Sequence, residues 1–305
     1  RVCGIKVFMG SSTGNLLVDD INVLNEIFSR SHILIAVHCE DEETVQNNIR
    51  IYRDKYGENL PVECHPLIRN SDACFKSSSL ATELAQKYGT RLHLLHLSTS
   101  QETELLNNQV GVEDKRITAE VCIHHLWFDS GDYSRYGSLI KWNPAIKSGD
   151  DRNALFKALL DDRIDVIGSD HAPHLINEKK SSYFNSPSGG PLVQHALPAM
   201  LEFYHDGKIS LEKIVNKMCH SPADLFRVDK RGYIREGYWA DLVLIDPDNP
   251  WKVMKDNILY KCLWSPFENY TFRSAVHITF VNGIPVYKDG RFSSFSPGMR
   301  LMFNT

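Results

Sequence analysis

No run of this 305-residue sequence approaches the roughly 20 consecutive apolar residues of a membrane span, so a membrane is not among its expected partners. Positive charge is not in excess either. Lys and Arg number 34 against 38 Asp and Glu, a formal net charge of -4. There is no basic field for nucleic acid or for an anionic lipid surface. The seven cysteines are odd in number and scattered, mostly inside apolar runs, with no framework spacing. They read as reduced thiols, and the expected location is the cytoplasm. Internal repeats and low-complexity segments are missing as well.

What is present is a chain that is 42% hydrophobic and 24% charged, enough to bury a sizeable core without disulfides. Arg1-Val2-Cys3-Gly4-Ile5-Lys6-Val7-Phe8-Met9 runs straight into an apolar strand. A strand at the very start would leave an unpaired sheet edge, so residues upstream are expected to be missing.

Short apolar runs alternate with longer amphipathic ones, the mark of βα units around a parallel sheet. Strands are expected at Ile5–Met9, Ile33–Cys39, Leu92–Leu97, Ile117–Ile123 and Val166–Ser169. Helical patterns lie between and after them at Asp20–Arg30, Asp41–Tyr56, Ser77–Tyr88, Gln101–Gln109 and Asp151–Leu160. A closed (β/α)8 barrel needs eight strands, so the expected fold is an α/β barrel of this type lacking its N-terminal strands. The polar stretch Leu175–Gly190 reads as a mobile loop. Helices are expected at Pro191–His205, Ser210–Cys219 and Pro222–Phe226. Short strands with turns follow, including an Asn282-Gly283 hairpin turn. The expected division is a barrel part over 1–231 and a small β-rich appendage over 232–305.

In a parallel barrel, functional side chains sit at the C-terminal ends of strands. His38, His96 and Asp170 occupy such ends, and Lys6 lies in an otherwise apolar strand. Each has an ordinary structural reading. A histidine at a strand end can be a satisfied core residue, a lysine can snorkel to water, and an aspartate can cap the next helix. Two imidazoles and a carboxylate are also suitable Zn²⁺ ligands, although a lysine ammonium repels a metal.

The runs Gly4-Ile5-Lys6-Val7-Phe8-Met9, His38-Cys39-Glu40, His96-Leu97-Ser98 and Ser169-Asp170-His171-Ala172-Pro173-His174 resemble, in this order, the amidohydrolase superfamily. The resemblance is to its dihydroorotase, hydantoinase and allantoinase branch. Gly237-Tyr238-Trp239-Ala240-Asp241-Leu242-Val243 is similar to the segment that re-enters that family's composite β domain. The resemblance implies two divalent metals, zinc by preference, bridged by a CO2-derived carbamate on Lys6. His38 and His96 would be ligands of one metal, and Asp170 a ligand of the other and the general base and acid. It also implies a His-x-His pair on the first strand with an arginine shortly after it, and an asparagine on a later upstream strand. None of these is here, and His124-His125 has the wrong spacing. They are expected upstream.

Within the branch, His174 stands where hydantoinase-like relatives usually have Phe, and it resembles the residue that pairs with a ring carboxylate. That implies a small-molecule substrate of the dihydroorotate and carbamoyl-aspartate type. The alternatives are hydantoin, dihydropyrimidine or allantoin hydrolysis, or a non-catalytic scaffold that keeps the fold. Asn143 and Gly190 are candidates for backbone contacts to the ring amide, although glycines are also ordinary turn residues. Arg69, in His65-Pro66-Leu67-Ile68-Arg69, stays open between structural and functional readings, and His171 is expected to support a ligand. A homodimer is the expected assembly.

Overall fold

The computed structural model describes residues 2–12 and 16–304. Five parallel strands pair in sequential order: β1 (Gly4–Phe8), β2 (Leu34–His38), β3 (Leu92–Leu94), β4 (Ile117–Cys122) and β5 (Val166–Gly168). Parallel neighbours need a crossover, and helices supply it. Ile21–Arg30 is capped by the Asp20 carboxylate and buries Leu24 and Phe28. Glu42–Tyr56 is capped by Asp41, and Ser71–Tyr88 by Asn70, with Gly89 ending the latter in the left-handed region. Gly149–Leu160 starts with a reciprocal capping box between Ser148 and Asp151.

The central strands are buried because they are covered on both faces. Leu34, Ile35, Val37, Leu92, Leu94, Ala119, Val121 and Cys122 are almost fully inaccessible. β1 and β5 are the edges of the sheet, and Ile5 on β1 is 42% exposed.

Two expected helices differ. Gln101–Gln109 forms only a short 3₁₀ turn, Gln101–Leu105. Its Glu102 is buried and turned inward to Ser78 Oγ (2.6 Å) and Thr99 Oγ1 (2.9 Å), which pins the chain before a full helix can develop. Ser210–Cys219 is an α-helix over Leu211–Val215 and then a π turn over Asn216–His220.

The chain divides into two compact units. Gly4–Val193 with Tyr260–Pro266 holds the five-stranded sheet. The other comprises Arg1–Cys3, Gln194–Leu259 and Phe267–Thr305, so by compactness the helices after 194 group with the C-terminal strands. In that unit β6 (Leu242–Asp246), β7 (Trp251–Lys252), β8 (Thr271–Phe272), β9 (Ala275–Val281), β10 (Ile284–Lys288) and β11 (Arg291–Phe292) form two small sheets. One has the order β11-β10-β9-β6 and the other pairs β7 with β8, all antiparallel. The turn between β9 and β10 has positive φ at both Asn282 and Gly283, as a two-residue hairpin requires. No helix among the described residues is long and apolar enough to cross a membrane. All seven cysteines are free.

Candidate active site

Each candidate side chain belongs to a strand or lies just past one. His38 is the last residue of β2, while His96 and Asp170 each follow a strand by two residues. His96 and Asp170 both have left-handed backbones, with φ of 39° and 43°. Such backbones cost a non-glycine residue on the order of 1–3 kcal/mol and cluster at functional sites. On the sheet, Lys6 is opposite Ala36, Ala36 opposite His93, and His93 opposite Thr118. Residues in register share a face, and Phe8 and His38, paired two positions along from Lys6 and Ala36, lie on it too. The Lys6 ammonium stands 4.6 Å from the Phe8 ring centroid.

Lys6, Phe8, His96, Asn143, Asp170 and Gly189 line one cavity of about 190 Å³, with Trp142 and Ser188 in its wall. His38 joins through His96, their Nδ1 and Nε2 atoms 3.2 Å apart and their rings nearly perpendicular at 71°. Five of the residues singled out in the sequence are thus brought together. His174 meets the cavity wall through its ring, with Nε2 3.1 Å from the Ser188 carbonyl oxygen. Its own carbonyl accepts from Trp264 Nε1 at 2.8 Å. Gly190 packs beneath Trp142, where an added Cβ would come within 2.6 Å of the indole, so this position admits glycine alone. His171 turns to the backbone, its Nδ1 accepting from Leu192 N at 3.0 Å. His124 and His125 lie on the short helix Ile123–Trp127, where His124 stacks on Trp142.

The electrostatics are those of a buried, mixed-charge site. Burial raises the Asp170 carboxyl to about 6, helped by Glu120 and opposed by Lys6 and His38. Burial also pushes His96 well below the usual histidine range, with His38, Lys6 and His125 adding to the effect. Its ring is therefore neutral near pH 7. Burial pushes the Glu40 carboxyl up, but Arg69 and then His38 outweigh it and bring it down to about 2.

Sequence reasoning missed Glu120. It projects from β4, accepts from the His96 backbone N–H at 3.3 Å, and lies 3.4 Å from His93 Nε2. The signal was available, since a lone charge in the apolar run Ile117–Cys122 has the pattern that singled out Lys6.

The donors His38 and His96 fit a divalent ion. Two buried ring nitrogens face each other, and the opposite nitrogen of His96, Nδ1, has no partner. The opposite nitrogen of His38, Nε2, stands at ion-pair distance, 3.1 Å, from the Glu40 carboxylate. Among the described residues no three His, Cys, Asp or Glu side chains stand at ligating spacing. The remaining donors of the set are Asp170 and Lys6, in the same cavity, and the Lys6 amine must lose its positive charge to face a cation.

Residues 18–286 match the model of the amidohydrolase family. Dihydroorotase of Halobacterium salinarum is 30% identical over 293 residues, covering 95% of this chain and 66% of that protein. Dihydroorotase of Pyrococcus furiosus is 28% identical over 297 residues, covering 97% and 64%. Among solved structures, the L-hydantoinase (dihydropyrimidinase) of Arthrobacter aurescens superposes with a TM-score of 0.87 at 27% identity, covering 95% of this chain and 66% of that one. The chain spans just under two thirds of the length of these relatives. The sequential parallel sheet with its crossover helices is therefore an arrangement shared with that L-hydantoinase, and this chain belongs to the amidohydrolase family.

Proposed function

We propose that this chain acts in the reversible interconversion of N-carbamoyl-L-aspartate and L-dihydroorotate, as a dihydroorotase of pyrimidine biosynthesis. The observation that carries the reading is the convergence of Lys6, His96 and Asp170 on one cavity, with the His174 ring against the carbonyl of Ser188, one of its lining residues. The dihydroorotases at about 30% identity support the same substrate class.

Lys6, His38, His96 and Asp170 would hold two divalent ions, zinc by donor type, with Lys6 carboxylated. Such ions, when bound, polarise the amide carbonyl and lower the pKa of water. The Lys6 amine adds to CO2 with loss of a proton, which replaces a cation by a carbamate anion and removes the repulsion noted above. Asp170, in the same cavity, takes the proton of the attacking water and returns it to the leaving amide nitrogen. His174 pairs with the ring carboxylate, and backbone groups at Asn143 and Gly190 contact the ring amide. Residues 1–231 form the barrel part and 232–305 the β-rich appendage in this reading. In this reading the protein works in the cytoplasm as a homo-oligomer, with a dimer as the proposed state.

A second reading, hydantoin or dihydropyrimidine hydrolysis, is favoured by the superposition with L-hydantoinase. Comparing kcat/KM of the metal-loaded protein on dihydroorotate, hydantoin, dihydrouracil and allantoin tests both. A preference for dihydroorotate supports the first reading, and a preference for an uncharged ring replaces it with the second.

A further inference from the structure

The segment from 175 to 190 contains a device that the proposed chemistry does not use. Lys179, at the end of the short helix Ile176–Lys179, is fully buried. Its Nζ donates to three backbone carbonyls: Pro187 O at 2.8 Å, Gly189 O at 2.8 Å and Lys141 O at 3.2 Å. Three N–H groups meet three acceptors, which is the condition for burying an ammonium at tolerable cost. Lys141, itself buried, repeats the pattern with Tyr183 O at 2.7 Å and Ser186 O at 2.6 Å. The Lys141 carbonyl accepts from Gly189 N at 2.8 Å, so the two lysines form one knot.

Packing alone would be served by an apolar side chain. An ammonium does something different, because it fixes the direction of each carbonyl it binds. Pro187 and Gly189 flank Ser188, and both of their carbonyls point at Lys179. In a trans peptide the following N–H points the opposite way, so the Pro187–Ser188 and Gly189–Gly190 peptide planes are set, and the Ser188–Gly189 peptide between them is held through Gly189 N, which donates at 2.8 Å to the Lys141 carbonyl that Lys179 also binds. Ser188 and Gly189 line the cavity, and the Ser188 carbonyl engages the His174 ring.

We propose that Lys179 is a positioning residue for substrate recognition: its ammonium holds the peptides before and after the Ser188–Gly189 peptide together with the Lys141 carbonyl that receives Gly189 N–H, and so sets the Ser188 carbonyl and the orientation of the His174 ring that meets it. This rests on the reading of His174 as the partner of the substrate carboxylate.

The test is a double-mutant cycle on the metal-loaded protein with Lys179→Met, His174→Ala and the pair. Lys179→Met keeps the length and removes the donors. It is expected to raise KM for dihydroorotate by roughly tenfold or more, with a smaller change in kcat, the scale of a lost hydrogen bond to a charged group. In the His174→Ala background the same substitution should have little further effect on kcat/KM. Losses that multiply independently would overturn the proposal. A second readout is independent of substrate. Amide exchange at Gly189 should be slow in the wild type and much faster in Lys179→Met, while the amides of β2 keep their protection. Unchanged exchange in the variant refutes the proposal, as does fast wild-type exchange at Gly189, which requires no folded variant. If the wild type does not act on dihydroorotate, the functional reading fails, while the exchange result still decides whether the knot holds the segment.

Discussion

Arg69 closes a buried ion pair with Glu40 from 29 residues further along the chain, and the same carboxylate oxygen stands 3.1 Å from His38 Nε2. Glu40 is wholly inaccessible and the Arg69 side chain 11% exposed. Arg69 also donates to the Ser11 carbonyl at 2.9 Å, so one guanidinium ties the loop after β1 to the end of β2. A residue left open between structural and functional readings in the sequence thus supports a candidate ligand.

Breaking one side of a buried pair strands the other charge, at a cost of about 3–5 kcal/mol. Arg69→Met is therefore expected to lower the thermal midpoint substantially. Arg69→Met combined with Glu40→Met should be milder than Arg69→Met alone, because no buried charge is left unmatched. Thermal denaturation of the two variants and the wild type decides this, and a double variant less stable than Arg69→Met would contradict the pairing as the source of stability.

Lys6→Ala removes the amine that the proposed carbamate is built on. Metal content by elemental analysis is expected to fall together with turnover, and short-chain carboxylic acids should restore part of both by replacing the lost oxygen donors. Full metal occupancy in Lys6→Ala would exclude a bridging role.

Much of this was legible in the sequence for a definite reason. Lys6, His38, His96 and Asp170 stand out because strand interiors are apolar, and a polar residue at a strand end is visible against that background. The five strands were legible from the same contrast. The lysine knot was not, because Lys141 and Lys179 look like ordinary solvent-facing lysines, and their acceptors are backbone carbonyls without a side-chain signature. The stretch 175–190 reads as a mobile loop from its composition, yet two buried ammoniums fasten it. The Gln101–Gln109 pattern misled for a similar reason. Helical periodicity reports local preference, and the inward turn of Glu102 to Ser78 is a tertiary contact.

Asp170 is assigned the proton transfers, so a variant that keeps its shape and loses its basicity isolates that role. Asp170→Asn is expected to fold, with a circular dichroism spectrum like that of the wild type, and to lose at least about 10²-fold in kcat, the lower range for a general acid–base group. Turnover within a few-fold of wild type would remove Asp170 from the proton path.

The last prediction separates dihydroorotate from the uncharged rings, and it rests on His174. Its Nε2 is engaged with the Ser188 carbonyl at 3.1 Å, so Nδ1 is the nitrogen available to a ligand. A carboxylate brought to Nδ1 accepts a hydrogen bond there while Nε2 stays on the Ser188 carbonyl. Hydantoin and dihydrouracil lack that carboxylate and leave the ring's donor unmatched. His174→Ala should therefore cost about 1.5–3 kcal/mol of transition-state stabilisation on dihydroorotate, the range for a hydrogen bond to a charged group, and much less on an uncharged ring. The quantity to compare is kcat/KM for each substrate in both proteins. Selective loss on dihydroorotate ties His174 to the ring carboxylate. An equal loss on every substrate means that the ring holds up the cavity wall without reading charge, and the dihydroorotate assignment would then have to rest on other residues.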